Sequence, residues 1–174
     1  MSNRKRSGRG FTLVEVLVSL VILSIGLLGV AKLVMFSSRS NDSAYLRSQA
    51  TALAYEILDD MRANRNVALA QGYDNTLVAG ATPVNPGFSC AGTGNLCSTP
   101  ANLGLYDVYA WQTRLQTALP GAAASVATVI PAGFTSTTAT IVVSWNDAVA
   151  QSAFGAVADG TAVANQSVTL ETLL

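Results

Sequence analysis

A chain of 174 residues can bury one core and carry a further element, but it is too short for two full domains. Half of it is apolar and 11% is charged, with Arg4, Lys5, Arg6 and Arg9 in the first ten residues and six basic against ten acidic side chains after them, a net −4. That acidic body has no basic face to replace phosphate counterions, which excludes nucleic acid as an expected partner. With no histidine and only Cys90 and Cys97, a closed Cys/His zinc site and imidazole-based catalysis are excluded too, and no metal, cofactor or catalytic residue is expected.

Residues 1–10, MSNRKRSGRG, form a basic leader. From Phe11 to Ala31 runs FTLVEVLVSLVILSIGLLGVA, 21 residues whose one charge is Glu15. As a helix this segment spans roughly 31 Å, the thickness of a bilayer's hydrocarbon core. Basic residues before it favour a cytoplasmic start, so the chain after Ala31 is expected outside the cytoplasm. The apolar run is longer than the h-region of a secretory signal peptide, and no small-x-small cleavage site follows it at once. A plain signal-anchor passes the same test and stays open on length and composition.

After Lys32 and the polar stretch SSRSNDS, apolar residues recur at Leu46, Ala50, Leu53, Ile57 and Met61. Steps of three and four place them on one helix face, with Asp59, Asp60, Arg62 and Arg65 off it. The simplest reading is one helix from Phe11 to about Ala70, closed near Gln71-Gly72. Residues 11–31 form its membrane part and 32–71 its amphipathic part. Two helices broken near Ser37–Ser43 are the alternative.

Residues 72–174 read as a globular head. Gly72 to Gly104 is rich in Gly, Pro, Asn, Ser and Thr and reads as irregular. Tyr106–Leu119 reads as a short helix stopped by Pro120-Gly121. Ser125–Ile130, Thr138–Trp145 and Ser167–Leu173 read as strands, with turn signals at Pro131–Gly133 and around Gly155–Gly160. In the second strand Ala139, Ile141, Val143 and Trp145 alternate with Thr140, Val142 and Ser144, the pattern of a half-buried antiparallel strand. The expected architecture is α+β: a long N-terminal helix packed on a small antiparallel sheet. Asp74, Asp107, Asp147, Asp159 and Glu171 show no spacing that suggests paired catalysis and read as solvated surface.

The stretch Gly10-Phe11-Thr12-Leu13-Val14-Glu15, behind its basic leader and opening a full span, resembles the prepilin processing site of type IV pilins and type II secretion pseudopilins. VEVLVSLVILSIGLLGVAKL, LDDMRANRNVA at Leu58–Ala68, Leu119-Pro120-Gly121 and Val143-Ser144-Trp145 narrow the resemblance to the minor pilin PilV (pilus modification protein) family. The competing family is the small type II secretion pseudopilin of the I type.

The resemblance implies that a membrane prepilin peptidase cuts after Gly10 and methylates the new amino group of Phe11. It implies that Glu15 pairs with the amino group of a neighbouring subunit in a filament. The expected partners are that peptidase, other minor pilins, the major pilin, the inner-membrane assembly platform and the membrane itself. The expected location is the inner membrane, single-pass with the head in the periplasm, and then the pilus. A non-enzymatic assembly role is expected, and a signal-anchored enzyme or receptor domain is the remaining alternative.

Ser19, Ser24, Gly26 and Gly29 are small residues that let helices approach closely, or simply residues common in membrane helices. The two glycines also weaken the helix, by about 1 kcal/mol each relative to Ala. Beyond the membrane an oxidising compartment and the Gly-containing spacing CAGTGNLC favour a Cys90–Cys97 disulfide, with two free thiols as the alternative. Many pilins carry their disulfide nearer the C-terminus, so this loop is not equated with their variable loop.

Overall fold

The computed structural model describes residues 11–90, 97–130, 132, 136–148 and 165–174. The leader, including Gly10, lies outside them, as do Pro131, Gly133, Gly155–Gly160 and Asp159. The chain divides into two compact units between Arg39 and Ser40.

Helix α1 runs unbroken from Leu13 to Ala63, so the alternative of two helices parted near Ser37–Ser43 is not the one adopted. Its start has a local cause. Thr12 accepts the amide of Glu15 on both its hydroxyl oxygen (3.3 Å) and its carbonyl (3.1 Å). Thr12 through Glu15 is thus the Ser/Thr-x-x-Glu spacing of a capping box, with a carboxylate in the positively polarised first turn. In the N-terminal unit Leu13 through Phe36 leave every large apolar side chain exposed, and the helix is long and apolar enough to cross a membrane.

In the second unit the expected stripe is buried. Ala50, Leu53, Ile57 and Met61 reach the core, joined by Ala54 and Leu58, while Leu46 is partly buried. Helix α1 ends seven residues before the expected stop near Ala70, and a separate short helix α2 (Arg65–Leu69) follows. Gln71 then takes a left-handed φ of 63° and the Gly72 amide donates to the Val67 carbonyl at 2.8 Å. A Cβ on Gly72 would collide with the Val67 side chain, so a glycine is needed there for close approach.

Strand β1 (Asn75–Leu77) lies inside the stretch expected to be irregular, and helix α3 (Pro100–Ala118) begins six residues before the expected Tyr106. Thr99 caps α3 by accepting the Asn102 amide at 3.2 Å, with Pro100 in the first turn, where its missing N–H costs nothing. Gly104 lets α3 approach Val67 and Tyr73: an added Cβ would lie 3.2 and 3.3 Å from their side chains.

Strands β2 (Ala123–Val129), β3 (Thr138–Asn146) and β4 (Asn165–Leu173) complete a four-stranded sheet of order β1-β2-β3-β4, antiparallel throughout. The expected inward set of β3 is the buried one: Ala139, Ile141, Val143 and Trp145. They meet the α1 stripe and Val108, Trp111 and Leu115 of α3 in one core. The Trp111 indole N–H donates to the Leu53 carbonyl at 2.8 Å, fixing α3 against α1. The architecture is α+β, a long N-terminal helix with a small antiparallel sheet, consistent with the pilin-like fold.

Candidate processing and assembly site

Phe11 stands one residue before the cap and is 82% exposed. Glu15 lies one turn along, exposed, its amide held by Thr12. The cap therefore fixes the first turn that carries Glu15, a local contribution the expected inter-subunit role did not include. The signal was in the sequence, as the Thr12-x-x-Glu15 spacing. Gly10, the expected cut position, lies outside the described residues.

Further along the same exposed surface, the hydroxyls of Ser19 and Ser24 donate to the carbonyls of Glu15 and Leu20, each at 2.7 Å. These bonds stay within the helix and satisfy both hydroxyls without an outside partner. A Cβ built on Gly26 or Gly29 meets nothing within 4 Å, so each has open space beside it in the single chain.

Cys90 and Cys97 are joined by a disulfide, with their Cα atoms 5.3 Å apart. The bridge closes the stretch that leads into the Thr99 cap of α3.

Three of the carboxylates expected to be solvated surface have partners inside the head. Asp74, exposed as expected, also accepts the amide and hydroxyl of Thr128 at 3.0 and 2.6 Å, joining the end of the α2 turn to β2. Asp147, 5% exposed, accepts the Ser43 hydroxyl at 2.6 Å. Asp107 accepts the Tyr73 hydroxyl at 2.8 Å and lies near Asp60 of α1. The correction has one cause: each partner is 34 to 104 residues away in the chain, so no local spacing reveals it. Glu171 is exposed, as expected.

Around Tyr73 the electrostatics are those of crowded carboxylates. Burial first, then the charges of Asp107 and Glu56, push Asp60 up to about 6. Burial also raises Asp107, against the Tyr73 hydrogen bond and the Arg114 charge, which lower it. The Tyr73 proton is held more firmly than usual, by burial and then by its bond to Asp107. Arg114 of α3 pairs with Glu56 of α1 across the same helix contact. The cluster ties α1 to α3. No group of three or more His, Cys, Asp and Glu able to hold a metal ion occurs among the described residues.

Residues 5–31 match the model of the prokaryotic N-terminal methylation motif. The matched segment includes the end of the basic leader, Gly10, Phe11, Glu15 and the apolar span. No curated protein and no solved structure matches the chain. The motif supports a type IV prepilin-like or pseudopilin-like protein, and the apolar helix that follows it fits membrane anchoring.

Proposed function

We propose that this chain is a minor pilin, cut after Gly10 by prepilin peptidase, methylated at Phe11 and assembled into a type IV pilus. The observation that carries the reading is the methylation motif over residues 5–31, placed on a helix whose apolar side chains have no cover in the single chain. Before assembly the bilayer covers them. In the filament, neighbouring helices do. The peptidase meets a short basic leader and a residue without a side chain, a peptide bond it reaches without steric crowding.

Cleavage frees an amino group one turn before Glu15, about 6 Å along the helix. A carboxylate in an otherwise apolar span is costly, about 2.5–3.5 kcal/mol at a bilayer's centre, and marks a functional position. Pairing between the Glu15 of one subunit and the Phe11 amino group of the next offsets that cost and sets the axial register. On this reading the head is a non-enzymatic module, with Asp74, Asp107 and Asp147 engaged in bonds that hold it together. The PilV resemblance in the helix and around Val143-Ser144-Trp145 favours the pilus over the type II secretion filament. The partners on this reading are the other minor pilins, the major pilin and the inner-membrane platform, with the head in the periplasm before export.

The test is intact mass and N-terminal sequencing of the protein from its own host. The expected mature form begins at methylated Phe11, and Gly10→Val retains the leader. A wild-type protein that begins elsewhere overturns the reading, whereas a correctly processed protein found only with the secretion apparatus assigns it to the pseudopilus.

A further inference from the structure

A cleft of about 310 Å³ opens in the head between β1, α3 and the chain that leads toward Cys90. That is the lower end of the roughly 300–1,000 Å³ range of small-molecule sites, the size for one ring rather than an extended chain. Its lining combines three polar side chains, Asp74, Asn75 and Gln112, with Tyr109 and the apolar Leu105 and Val84.

The wall is held in place. The Gln116 side-chain amide donates to the Ala81 carbonyl, the Asn85 side-chain amide to the Tyr109 hydroxyl at 3.5 Å, and the Gly87 N–H to the Asn85 side-chain oxygen Oδ1 at 2.8 Å. The Cys90–Cys97 bridge closes the chain just beyond.

The chemistry of the lining selects among ligands. No lysine or arginine lines the cleft and Asp74 does, so an anion finds repulsion and no cation to pair with. Gln112, 4% exposed, donates its side-chain amide to the Asn75 side-chain oxygen Oδ1 at 2.6 Å. This leaves the Gln112 carbonyl oxygen as an acceptor and the Asn75 amide as a donor. The Tyr109 hydroxyl accepts from Asn85 and keeps its own proton to give. A cation would use the acceptors and leave these donors unmet. A ligand with both donors and acceptors on its edge, and apolar faces to lie against Tyr109, Leu105 and Val84, uses all of them. A pyranose ring has that form. We propose that this cleft binds a single neutral sugar unit, Tyr109 meeting its C–H face and Asp74, Asn75 and Gln112 its hydroxyls. The inference stands on the head alone and does not depend on the pilus reading.

The experiment is saturation-transfer NMR on the full chain in a detergent without a sugar headgroup, with glucose, galactose and N-acetylglucosamine as probes at about 10 mM, suited to millimolar affinities. Transfer to at least one probe is expected, weakened about tenfold by Tyr109→Ala, the size of change for a lost anchoring contact. Val84→Arg, at an exposed position, is expected to block it while thermal melting stays unchanged. Absence of transfer to all three sugars overturns the proposal. So does transfer that survives both variants, or Tyr109-dependent transfer to spermidine or triglycine with none to the sugars.

Discussion

Helix α1 is one continuous element used under two different physical regimes, and the contrast between its N-terminal part and the part within the head is instructive. Up to Phe36 the apolar side chains point in every direction and all the large ones are exposed. From Ala50 to Met61 the apolar side chains that enter the core follow one stripe, and that stripe is buried against α3 and the sheet. The first pattern suits a medium that is apolar on all sides, the second a medium that is water on one side and protein on the other. The single carboxylate in the first part, Glu15, forms no ion pair among the described residues, whereas Glu56 in the second part pairs with Arg114. Stability of the fold belongs to the second part, and on the proposed function association belongs to the first.

That division predicts opposite phenotypes for substitutions on the same helix. Glu15→Val has the largest expected effect. Membrane insertion and cleavage after Gly10 survive, the head melts as in the wild type, and incorporation into the filament is lost. A buried amino group left without its partner destabilises by about 3–5 kcal/mol. Glu15→Gln sharpens the point, because it retains polarity in the first helical turn while removing the charge. Loss of the protein from sheared pili in both variants, at normal membrane levels, is the expected result; recovery of either in the shaft at wild-type levels removes the charge-pair mechanism.

The complementary substitution is Ile57→Ala. Ile57 is fully buried in the stripe, and its truncation leaves a cavity costing about 2–5 kcal/mol of head stability. Leu20→Ala, on the exposed part of α1, is expected to leave denaturant unfolding of the head unchanged. If both variants shift the unfolding midpoint equally, the two parts of the helix are not the separate regimes described.

Next in size is the disulfide. Reducing Cys90–Cys97, or replacing both with serine, opens an eight-residue loop and is expected to cost about 2–3 kcal/mol by loop entropy. The loss should appear in denaturant unfolding of the head and leave processing at Phe11 untouched, since the bridge lies beyond the membrane part. Thiol labelling of the unreduced, denatured protein should find no free cysteine.

Patterns with a local cause were legible in the sequence. The span, the stripe Ala50–Met61 and the inward face of β3 each repeat within a single element, so periodicity alone finds them. Strand β1 is three residues long, too short for an alternation to register, and exists because Leu77 pairs with Ala124 of β2. The start of α3 was written as Thr99-Pro100, but the Asn and Gly that follow disguise it; Gly104 is retained for its contact with Val67 and Tyr73, not for helix propensity. The Thr12–Glu15 cap was also legible, and was overshadowed by the functional reading of the same glutamate. The internal partners of Asp74, Asp107 and Asp147 were not, because sequence spacing carries no information about Thr128, Tyr73 or Ser43.

The smallest expected effect concerns the contact of α1 with α3, where Asp60 is raised to about 6 by burial, and then by Asp107 and Glu56. Arg114 opposes this, and Asp107 is itself raised. A carboxyl whose folded value exceeds its unfolded value of 3.8 binds more protons in the native state. Its contribution is therefore fully present below about pH 4 and is lost as pH rises through 6. Protonation of Asp60 stabilises the head first by removing a charge that burial penalises, and then by relieving repulsion from Asp107, Glu56 and Asp59. Solvent screening at this half-buried position limits the effect to roughly 1 kcal/mol or less. Unfolding of the wild type should show this fall in stability between pH 4 and 7, against the rise produced by ordinary paired carboxylates. Asp60→Asn removes the titration while keeping the shape, so the variant should gain on the wild type as pH rises and match it near pH 4. A difference that is instead constant across the range would assign the change to altered packing at residue 60 and would leave the α1–α3 contact without a pH-dependent charge.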